Sequence, residues 1–445
     1  MSGASEHPWA GRRLHFVGIG GAGMSGLALI ASKLGASVTG SDRCTSAYLA
    51  PLEALGIEAA IGHAAENVPG GAEVVYSSAV PADNPERALA EAAGTSLHRS
   101  QLLAEIAGLK RCIAVSGTHG KTTTTGMIAH VLRGCGLDPA YVVGGALQDT
   151  GLNADWGTGE WIVIEADESD RSLLNYAPEV AVLTNAELDH HSTYSSRLDL
   201  EDTFARFAAS AEKAVVWDRA DILRIARRAK HVVPYDALAP EPSVDGTRFD
   251  WRGLRVALSV PGDHNAVNAA GALTTAVLAG AEPTAAVAAI ASFHGARRRL
   301  ERLGVTYDGV RVYDDYAHHP TEVRAAIAGA RELGARRLVA VFQPHLYSRT
   351  RALAHDFGGA LATADICAVV DVYPARELAE DFPGVGGHLI AAAAADSGGG
   401  RQVAWMPSFD DARRWLEATL RPGDLCLVMG AGNIDSLGRA LVTSE

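Results

Sequence analysis

The sequence predicts an α/β protein whose sheets are mostly parallel, and three observations support this fold class. Short apolar runs alternate with longer segments rich in alanine and leucine. Polar or glycine residues follow the apolar runs, as is typical at the carboxyl ends of parallel strands. Two glycine-rich turns, GIGGAGMSG and GTHGKT, each join an apolar run to a helical segment. At 445 residues the chain has room for two or three domains.

The first series of elements begins with the predicted strand LHFVGIG and the predicted helix GAGMSGLALIASKLG. VTGSD is interpreted as the second strand, and EVVYSSAV and TSLHRS as later strand ends with polar turns. Alternation of this kind predicts a doubly wound parallel sheet.

The alternation of strands and helices then starts again twice. A second series begins near Leu109, and a third, which contains RVYDDYA, RRLVAVFQPH and DLCLVMGAG, begins near Arg311. The basic stretch GARRRLERLG, residues 295–304, is the predicted linker before the third series. The apolar runs of the second series lie near Ile113, Trp161, Val180 and Ala214.

Charge and cysteine usage exclude some classes of protein. The net charge of −13 argues against nonspecific binding to nucleic acid or to anionic membranes. The longest alanine-rich stretch, 275–293, contains Glu282 and Pro283 and does not resemble a membrane span. Five scattered cysteines without a C-x-x-C pattern, and an amino-terminal segment without a signal-peptide core, predict a cytoplasmic protein.

The segment AVSGTHGKTTTT, residues 114–125, predicts a phosphate-binding loop. Backbone N–H groups of such a turn and of the following helix point at an anion, which the helix dipole also favours. Lys121, one of only five lysines, can reach the outer phosphates, and the Thr122 hydroxyl can bind Mg²⁺. The common pattern would place its first glycine at Val115, whereas here it is Gly117. The structural alternative is an ordinary glycine turn before a helix.

The other glycine-rich turn follows the first predicted strand. Gly18, Gly20 and Gly23 form G-x-G-x-x-G, and Asp42 follows at the end of a second strand. This arrangement is typical of dinucleotide sites, and it indicates a diphosphate at a helix amino terminus. The residues alone leave open whether the ligand is NAD or another nucleotide diphosphate. A tight strand–helix turn without a ligand is the structural alternative.

Two acidic strand ends lie in the same series as the phosphate loop. VIEADESD places Glu165 where it could bind Mg²⁺, with a solvated acidic loop as the alternative. TNAELDHHSTY places His190 and His191 directly after Asp189, and these side chains could bind a metal or transfer a proton.

Further polar groups follow later strands. GDHNAVNAAGAL carries asparagines whose spacing puts them on one face at the start of a helix, where they could cap the helix or contact a base edge. DDYAHHPTEV and FQPHLYSRT are dense in Asp, His, Tyr and Arg at strand ends. Functional groups cluster at such ends, although a stabilising polar network is the alternative.

Taken together, these segments resemble the Mur ligase family. The resemblance runs nearly end to end. It departs from the family pattern at Leu346, where members of the family have FQPHRY, and at a central-domain lysine that some members carry carbamylated, for which only Lys213 and Lys230 could serve here. It is carried by GIGGAGMSGLA, VVYSSAV, HRSQLLAEIAG, GTHGKTTTT, EADESD, TNAELDHH, GDHNAVNAAGA, FHGARRR, DDYAHHPTEV, FQPHLYSRT, VYPARE and GAGNI, in that order.

The resemblance implies three domains and an ATP-dependent reaction. A Rossmann-like domain, 1–108, would bind the UDP sugar, a central P-loop ATPase domain, 109–295, would bind ATP, and a Rossmann-like domain, 296–445, would bring the amino acid. The implied reaction joins L-alanine to the carboxylate of UDP-N-acetylmuramate through an acyl phosphate, in peptidoglycan synthesis. Mg²⁺, or Mn²⁺, would assist.

The same resemblance implies a role for individual residues. The ATP-binding residues would be Gly117, Thr118, His119, Gly120, Lys121, Thr122, Thr123, His264, Asn265, Asn268, Arg299 and Asp315. The UDP-sugar-binding residues would be Gly18, Gly20, Gly21, Ala22, Gly23, Met24, Ser25, Asp42 and Ser78. The amino-acid pocket would contain Tyr316, His318, His345 and Arg349. The metal ligands would be Thr122, Glu165 and His190, and the catalytic residues Lys121, Glu165, His190 and Arg349.

Three other functions are compatible with parts of the chain. An NAD-dependent dehydrogenase would use the first glycine turn and Asp42 but would leave the phosphate loop without a role. A nucleotide-dependent switch would use the phosphate loop but not the polar strand ends of the third series. A sister ligase that adds a whole peptide to the same UDP sugar is the nearest alternative, and would differ mainly in the third domain.

Overall fold

A computed structural model of the protein describes residues 7–189, 193–243, 246–375 and 377–442. Packing divides these residues into two compact units. The first unit takes its described residues from Met1–Glu187, Arg197–Asp236 and Asn268–Ile290, and the second from Leu188–Ser196, Ala237–Val267 and Ala291–Glu445.

The first sheet of the first unit is entirely parallel. Its strands are β1 (Arg13–Val17), β2 (Ser37–Asp42), β3 (Ala59–Ile61), β4 (Glu73–Tyr76) and β5 (Ser96–His98). Its helices are α1 (Ala22–Lys33), α2 (Ala50–Glu53), α3 (Pro85–Ala93) and α4 (Arg99–Ala107). The strand order β3-β2-β1-β4-β5 is doubly wound, as the sequence predicted. The order in which strands are added to the sheet reverses between β1 and β4, and ligands of open α/β sheets bind at such a switch point.

The second sheet of the first unit has seven strands. They are β6 (Arg111–Ser116), β7 (Ala140–Val142), β8 (Ala154–Asp155), β9 (Trp161–Glu165), β10 (Val180–Leu183), β11 (Lys213–Trp217) and β12 (His231–Tyr235). The helices are α5 (Lys121–Gly134), α6 (Arg197–Ser210) and α7 (Ala220–Ala226). The order is β12-β11-β10-β6-β9-β7-β8, and the edge strand β8 alone pairs antiparallel within this described sheet. The predicted mostly parallel sheet is confirmed.

The two sheets of the first unit are joined by a close contact of helix α1 with strand β8. The ideal Cβ position on Gly26 lies only 3.1 Å from Cβ of Ala154, so a larger residue than glycine would push the two elements apart. Beside this contact, Nδ2 of Asn153 donates to the Ser25 hydroxyl at 3.0 Å and also to the carbonyl oxygen of Ala22. Gly26 therefore lowers the helix propensity of α1 but permits this close packing.

The second unit contains a small antiparallel sheet that the sequence analysis did not predict. Its strands are β13 (Leu238–Ser243), β14 (Gly246–Trp251) and β15 (Leu254–Leu258), paired in that order. Phe249, Trp251 and Val256 are buried on this sheet. Two helices come next along the chain, α8 (Asp263–Leu278) and α9 (Pro283–Ile290).

The last sheet is the main sheet of the second unit. Its strands are β16 (Glu301–Val305), β17 (Arg311–Asp315), β18 (Leu338–Phe342), β19 (Ile366–Val369), β20 (Gln402–Trp405) and β21 (Leu425–Met429). Its helices are α10 (Pro320–Glu332), α11 (Tyr347–Leu361), α12 (Gly387–Ser397), α13 (Phe409–Thr419) and α14 (Asp435–Val442). The order is β16-β17-β21-β18-β19-β20, with β16 antiparallel. The predicted linker 295–304 was therefore wrong in its second half, which forms the edge strand β16.

Strand β18 shows why the interior strands are continuous apolar runs. Leu338, Ala340 and Phe342 pack in the cluster on one face of the sheet. Val339 and Val341 pack in the cluster on the other face, so both faces of LVAVF are buried beneath helices. Among the described residues, no helix combines the length and the apolar character that a bilayer-spanning segment needs.

Candidate active site

The phosphate loop lies between β6 and α5, as the sequence predicted, and close packing explains its glycines. Gly120 has φ +78° and forms the amino-terminal cap of α5. A Cβ there would lie 2.6 Å from Oδ1 of Asn268, and a Cβ on Gly117, whose φ is +134°, would lie 2.1 Å from Oγ1 of Thr184. No other residue fits either position without movement of its neighbours. Asn268 is thus placed at the phosphate loop.

Lys121 is held at the start of α5 by three acceptors. Its ammonium group donates to the carbonyl oxygens of Gly117, at 2.7 Å, and Thr118, at 3.1 Å, and to the carboxylate of Glu168, at 2.9–3.0 Å. Glu168 is only 1% exposed. Burial works against the charge, but nearby carboxylates, led by Glu168, outweigh it and raise the pKa of Lys121 above its usual value. The lysine is therefore a fixed cation in the loop.

Thr122 and Glu165 come together, as the sequence predicted. The Thr122 hydroxyl donates to Oε1 of Glu165 at 3.1 Å, and the backbone N–H of Gly144 donates to Oε2 at 2.7 Å. A hydroxyl and a carboxylate oxygen at this distance are the hard ligands that Mg²⁺ prefers, so the pair fits that ion. The predicted third ligand, His190, and its neighbour His191 lie outside the described residues.

A second layer of residues supports the loop backbone. Oδ1 of Asn185 accepts from the N–H of His119 at 2.9 Å, and Nδ2 of Asn185 donates to the carbonyl oxygen of His119 at 2.9 Å. The Thr118 hydroxyl donates to the carbonyl oxygen of Glu187 at 2.8 Å. Asn185, the asparagine of TNAELDHH, was not among the predicted site residues. Thr123 is buried in the first turn of α5.

The glycine loop after β1 is braced by one side chain at the end of β2 and one from the segment that follows it. The N–H of Gly20 donates to Oδ2 of Asp42 at 2.9 Å, and the Ser46 hydroxyl donates to the carbonyl oxygen of Gly20 at 2.8 Å. Gly18 has φ +77°, and Gly21 is the N-cap residue of α1, where no side chain of the described residues caps the helix. The first turn of α1 thus offers backbone N–H groups to an anion.

The remaining residues predicted for the UDP sugar lie on or beside helix α1. Ala22 and Gly23 form its first turn, and Met24 and Ser25 are buried on it. Ser78, after β4, donates its hydroxyl to Oδ2 of Asp170 at 3.2 Å. Ser78 follows β4, which is the neighbour of β1, so the Ser78 hydroxyl lies at the switch point of the sheet.

The four residues predicted for the amino-acid pocket form one cluster in the second unit. The ring of Tyr316 lies 5.4 Å from that of His318, which lies 6.1 Å from the ring of His345. Nη1 of Arg349 lies 3.2 Å from Nδ1 of His345. The guanidinium of Arg349 also donates to both oxygens of Asp189 at 3.0–3.1 Å.

Burial sets the charge state of His318 in this cluster. Burial lowers the pKa of His318 to about 4, against an upward effect of Glu322, so its imidazole is neutral at pH 7.

Leu346, where the sequence departs from the family pattern, is the N-cap residue of α11, has φ +71° and is buried. A β-carbon in that conformation is strained.

The predicted ATP contacts in the second unit are engaged with backbone groups. Asp315 accepts from the N–H groups of Leu300 and Ala317, each at 2.8 Å, and burial raises its pKa to about 6. Asn265 donates to the carbonyl oxygen of Pro261 at 2.7 Å. Burial also lowers the pKa of His264 to about 4, helped by the charge of Arg299.

Comparison with known families covers nearly the whole chain. Residues 13–111 match the Mur ligase family catalytic domain, 115–276 the Mur ligase middle domain, and 298–432 the Mur ligase glutamate ligase domain. This chain belongs to the Mur ligase family. Its three-domain α/β fold is that of a Mur ligase, with mostly parallel sheets in each large domain.

Curated relatives and solved structures of Mur ligases extend the comparison. The UDP-N-acetylmuramate--L-alanine ligase of Renibacterium salmoninarum is 44% identical over 97% of this chain and 95% of that protein. The enzyme of the same name from Gloeobacter violaceus is 43% identical over 95% and 94%. The solved UDP-N-acetylmuramate-alanine ligase from Thermotoga maritima superposes with a TM-score of 0.83 at 27% identity, covering 97% of this chain and 98% of its own.

Proposed function

We propose that this protein is the ligase that joins L-alanine to UDP-N-acetylmuramate at the cost of ATP, in peptidoglycan precursor synthesis. The relatives that match along nearly their full length carry that activity in their names. The observation that carries the proposal is the phosphate loop, where Lys121, Thr122 and Glu165 are gathered at one helix amino terminus. A dehydrogenase has no use for this arrangement.

The domain roles are part of this proposal. Residues 1–108 would bind the UDP sugar, 109–295 ATP, and 296–445 the amino acid. The separate sheets support this division, because the first ends at His98, the second begins at Arg111, and the last begins at Glu301. The unpaired cysteines of the described chain are compatible with the cytoplasm, where we place the reaction.

The first step activates the carboxylate of the sugar. A carboxylate resists attack by an amine, and transfer of the γ-phosphoryl group of ATP gives an acyl phosphate with a good leaving group. Lys121 would balance the charge on the transferred group. Thr122 and Glu165, with His190 from the sequence, would hold Mg²⁺ or Mn²⁺, which when bound would supply further positive charge to the phosphates.

The second step forms the amide. The amine nitrogen of L-alanine attacks the acyl carbon, the C–N bond forms, and phosphate leaves with the electrons of the C–O bond. The attacking amine must lose a proton, and a neutral imidazole such as that of His318 can accept it. Arg349 would bind the alanine carboxylate beside His345, as its position in the cluster allows.

The test is release of phosphate from ATP with UDP-N-acetylmuramate, measured with L-alanine, with glycine or serine, and with a cell-wall peptide. We expect release with L-alanine and a product heavier by one alanyl residue. Turnover with the peptide but not with L-alanine would instead establish the sister ligase. Turnover of NADH, with no phosphate release, would establish a dehydrogenase.

A further inference from the structure

Arg99 lies between the two glycine loops of the first unit, and the sequence analysis did not assign it a role. It is the first residue of α4, directly after β5, and its side chain is 20% exposed. Nη2 donates to Oδ2 of Asp167 at 2.7 Å and lies 3.7 Å from Oδ2 of Asp170. One edge of the guanidinium is therefore anchored to the turn after β9.

The other edge of Arg99 faces the first turn of α1. An ideal Cβ built on Gly23 would lie 3.5 Å from Nη1, so the guanidinium is in contact distance of the glycine loop. Within the ranges that the structure describes, Nη1 and Nε donate to no protein acceptor. A guanidinium carries five N–H donors in a planar fork, and most of this fork remains available at the loop.

The charge of Arg99 is fixed by its anchor. Burial opposes the charged form, but the carboxylates of Asp167 and Asp170 outweigh it and raise the pKa of the guanidinium. The same pairing lowers the pKa of Asp167 despite its burial. A preformed cation beside uncapped helix N–H groups attracts an anion that the neutral glycine loop alone would bind more weakly.

We propose that Arg99 binds an anionic oxygen of the nucleotide-sugar substrate through Nη1 and Nε, while Nη2 stays on Asp167. The inference rests on the proposed function, because it takes the glycine loop to be the UDP-sugar site. The substrate has two acidic groups of the required chemistry, the diphosphate and the lactyl carboxylate. Asp167 is followed by Glu168, the partner of Lys121, so neighbouring residues of one turn hold Arg99 and the lysine of the phosphate loop.

The test is binding of two UDP sugars to the full chain without ATP, measured by calorimetry. UDP-N-acetylmuramate carries both acidic groups, and UDP-N-acetylglucosamine only the diphosphate. Arg99→Ala should weaken binding of UDP-N-acetylmuramate roughly tenfold to a hundredfold, the range of one charged hydrogen bond. An equal loss for both sugars assigns the contact to the diphosphate, and a loss for UDP-N-acetylmuramate alone assigns it to the carboxylate.

Three further variants separate binding from folding. Arg13→Ala, which removes an arginine near the opposite end of β1, should keep the parent affinity. Arg99→Lys keeps the charge but cannot span Asp167 and the ligand, so we expect an intermediate affinity. Asp167→Asn removes the charge of the anchor but keeps an amide oxygen that can accept from Nη2, and it should weaken binding less than Arg99→Ala.

Two results would overturn the proposal. One is the parent affinity in folded Arg99→Ala and Arg99→Lys proteins, and the other is an effect of Asp167→Asn as large as that of Arg99→Ala. The parent protein is assayed for alanine ligation in parallel. Ligation with no role for Arg99 would refute this inference alone, whereas Arg99-dependent binding without ligation would refute only the proposed function.

Discussion

The two glycine loops of the first unit have the same frame but different chemistry. Each follows a parallel strand, β1 or β6, and each leads into a helix. The first loop is braced by Asp42 and Ser46, and no lysine lies between Gly18 and Ser25. The second contains Lys121 itself, which faces the buried carboxylate of Glu168.

This difference separates binding from chemistry. A diphosphate that stays intact needs only fixed dipoles and a neighbouring cation, which backbone N–H groups and Arg99 can supply. A phosphoryl group in transfer gains charge on oxygens that must be balanced at that moment, so the cation belongs in the loop.

Replacing Lys121 should have the largest effect. We expect Lys121→Ala to lower kcat a hundredfold or more, because one transition-state charge contact is worth about 3 kcal/mol, while affinity for UDP-N-acetylmuramate stays unchanged. Steady-state kinetics and calorimetry measure the two quantities. Lys230→Ala, at a lysine whose side chain is 64% exposed, is the control. A folded Lys121→Ala protein with the parent kcat would remove the distinction between the loops.

Changing the carboxylate beside Thr122 should have a smaller effect that depends on the metal. Glu165→Gln keeps an acceptor for the N–H of Gly144 but loses the charge, so the Mg²⁺ concentration for half-maximal activity should rise about tenfold. Activity measured against Mg²⁺ concentration tests this. Glu160→Gln, at an 80% exposed side chain before the same strand, should leave the curve in place. An unchanged dependence on Mg²⁺ in Glu165→Gln would show that Glu165 is not a metal ligand.

Alanine substitutions at Gly18 and at Gly120 should differ in their effects, because the two glycines differ in how closely their neighbours pack. Gly18→Ala adds a Cβ with nothing within 4 Å, so it should cost only the left-handed φ, about 1–2 kcal/mol of stability. Gly120→Ala has the same kind of φ but must also displace Asn268, so it should destabilise more and raise the KM for ATP. Urea unfolding and ATP kinetics compare the two. Equal midpoints and equal KM values would show that Asn268 yields without cost.

Local patterns predicted much of this molecule. The strand–turn–helix order around Lys121 and around Gly18 was confirmed because glycine and apolar runs encode it within about a dozen residues. The small antiparallel sheet was missed because β13, LAPEPS, contains two prolines, which are tolerated on an edge strand but argue against a strand in sequence.

The site was predicted less completely than the fold, because its pairings are distant in sequence. Arg99 and Asp167 are 68 positions apart, and Lys121 and Glu168 are 47 apart. Contacts between residues so far apart in the chain leave no periodic pattern in the sequence. The contact of Asn268 with Gly120 left no signal in the sequence, since only the folded helix α8 brings this side chain to the loop. The predicted contact of Asn268 with ATP stays a prediction.

Gly26 in helix α1 has a consequence for truncated forms of this protein. Gly26 lets strand β8 approach the helix, and Asn153 donates to Ser25 from a segment that comes well after the first sheet. A protein truncated after residue 108 would expose that helix face and lose the Asn153 amide. We therefore expect the isolated amino-terminal piece to be less soluble and a poorer surrogate for ligand screening than the full chain, even though its sheet is complete.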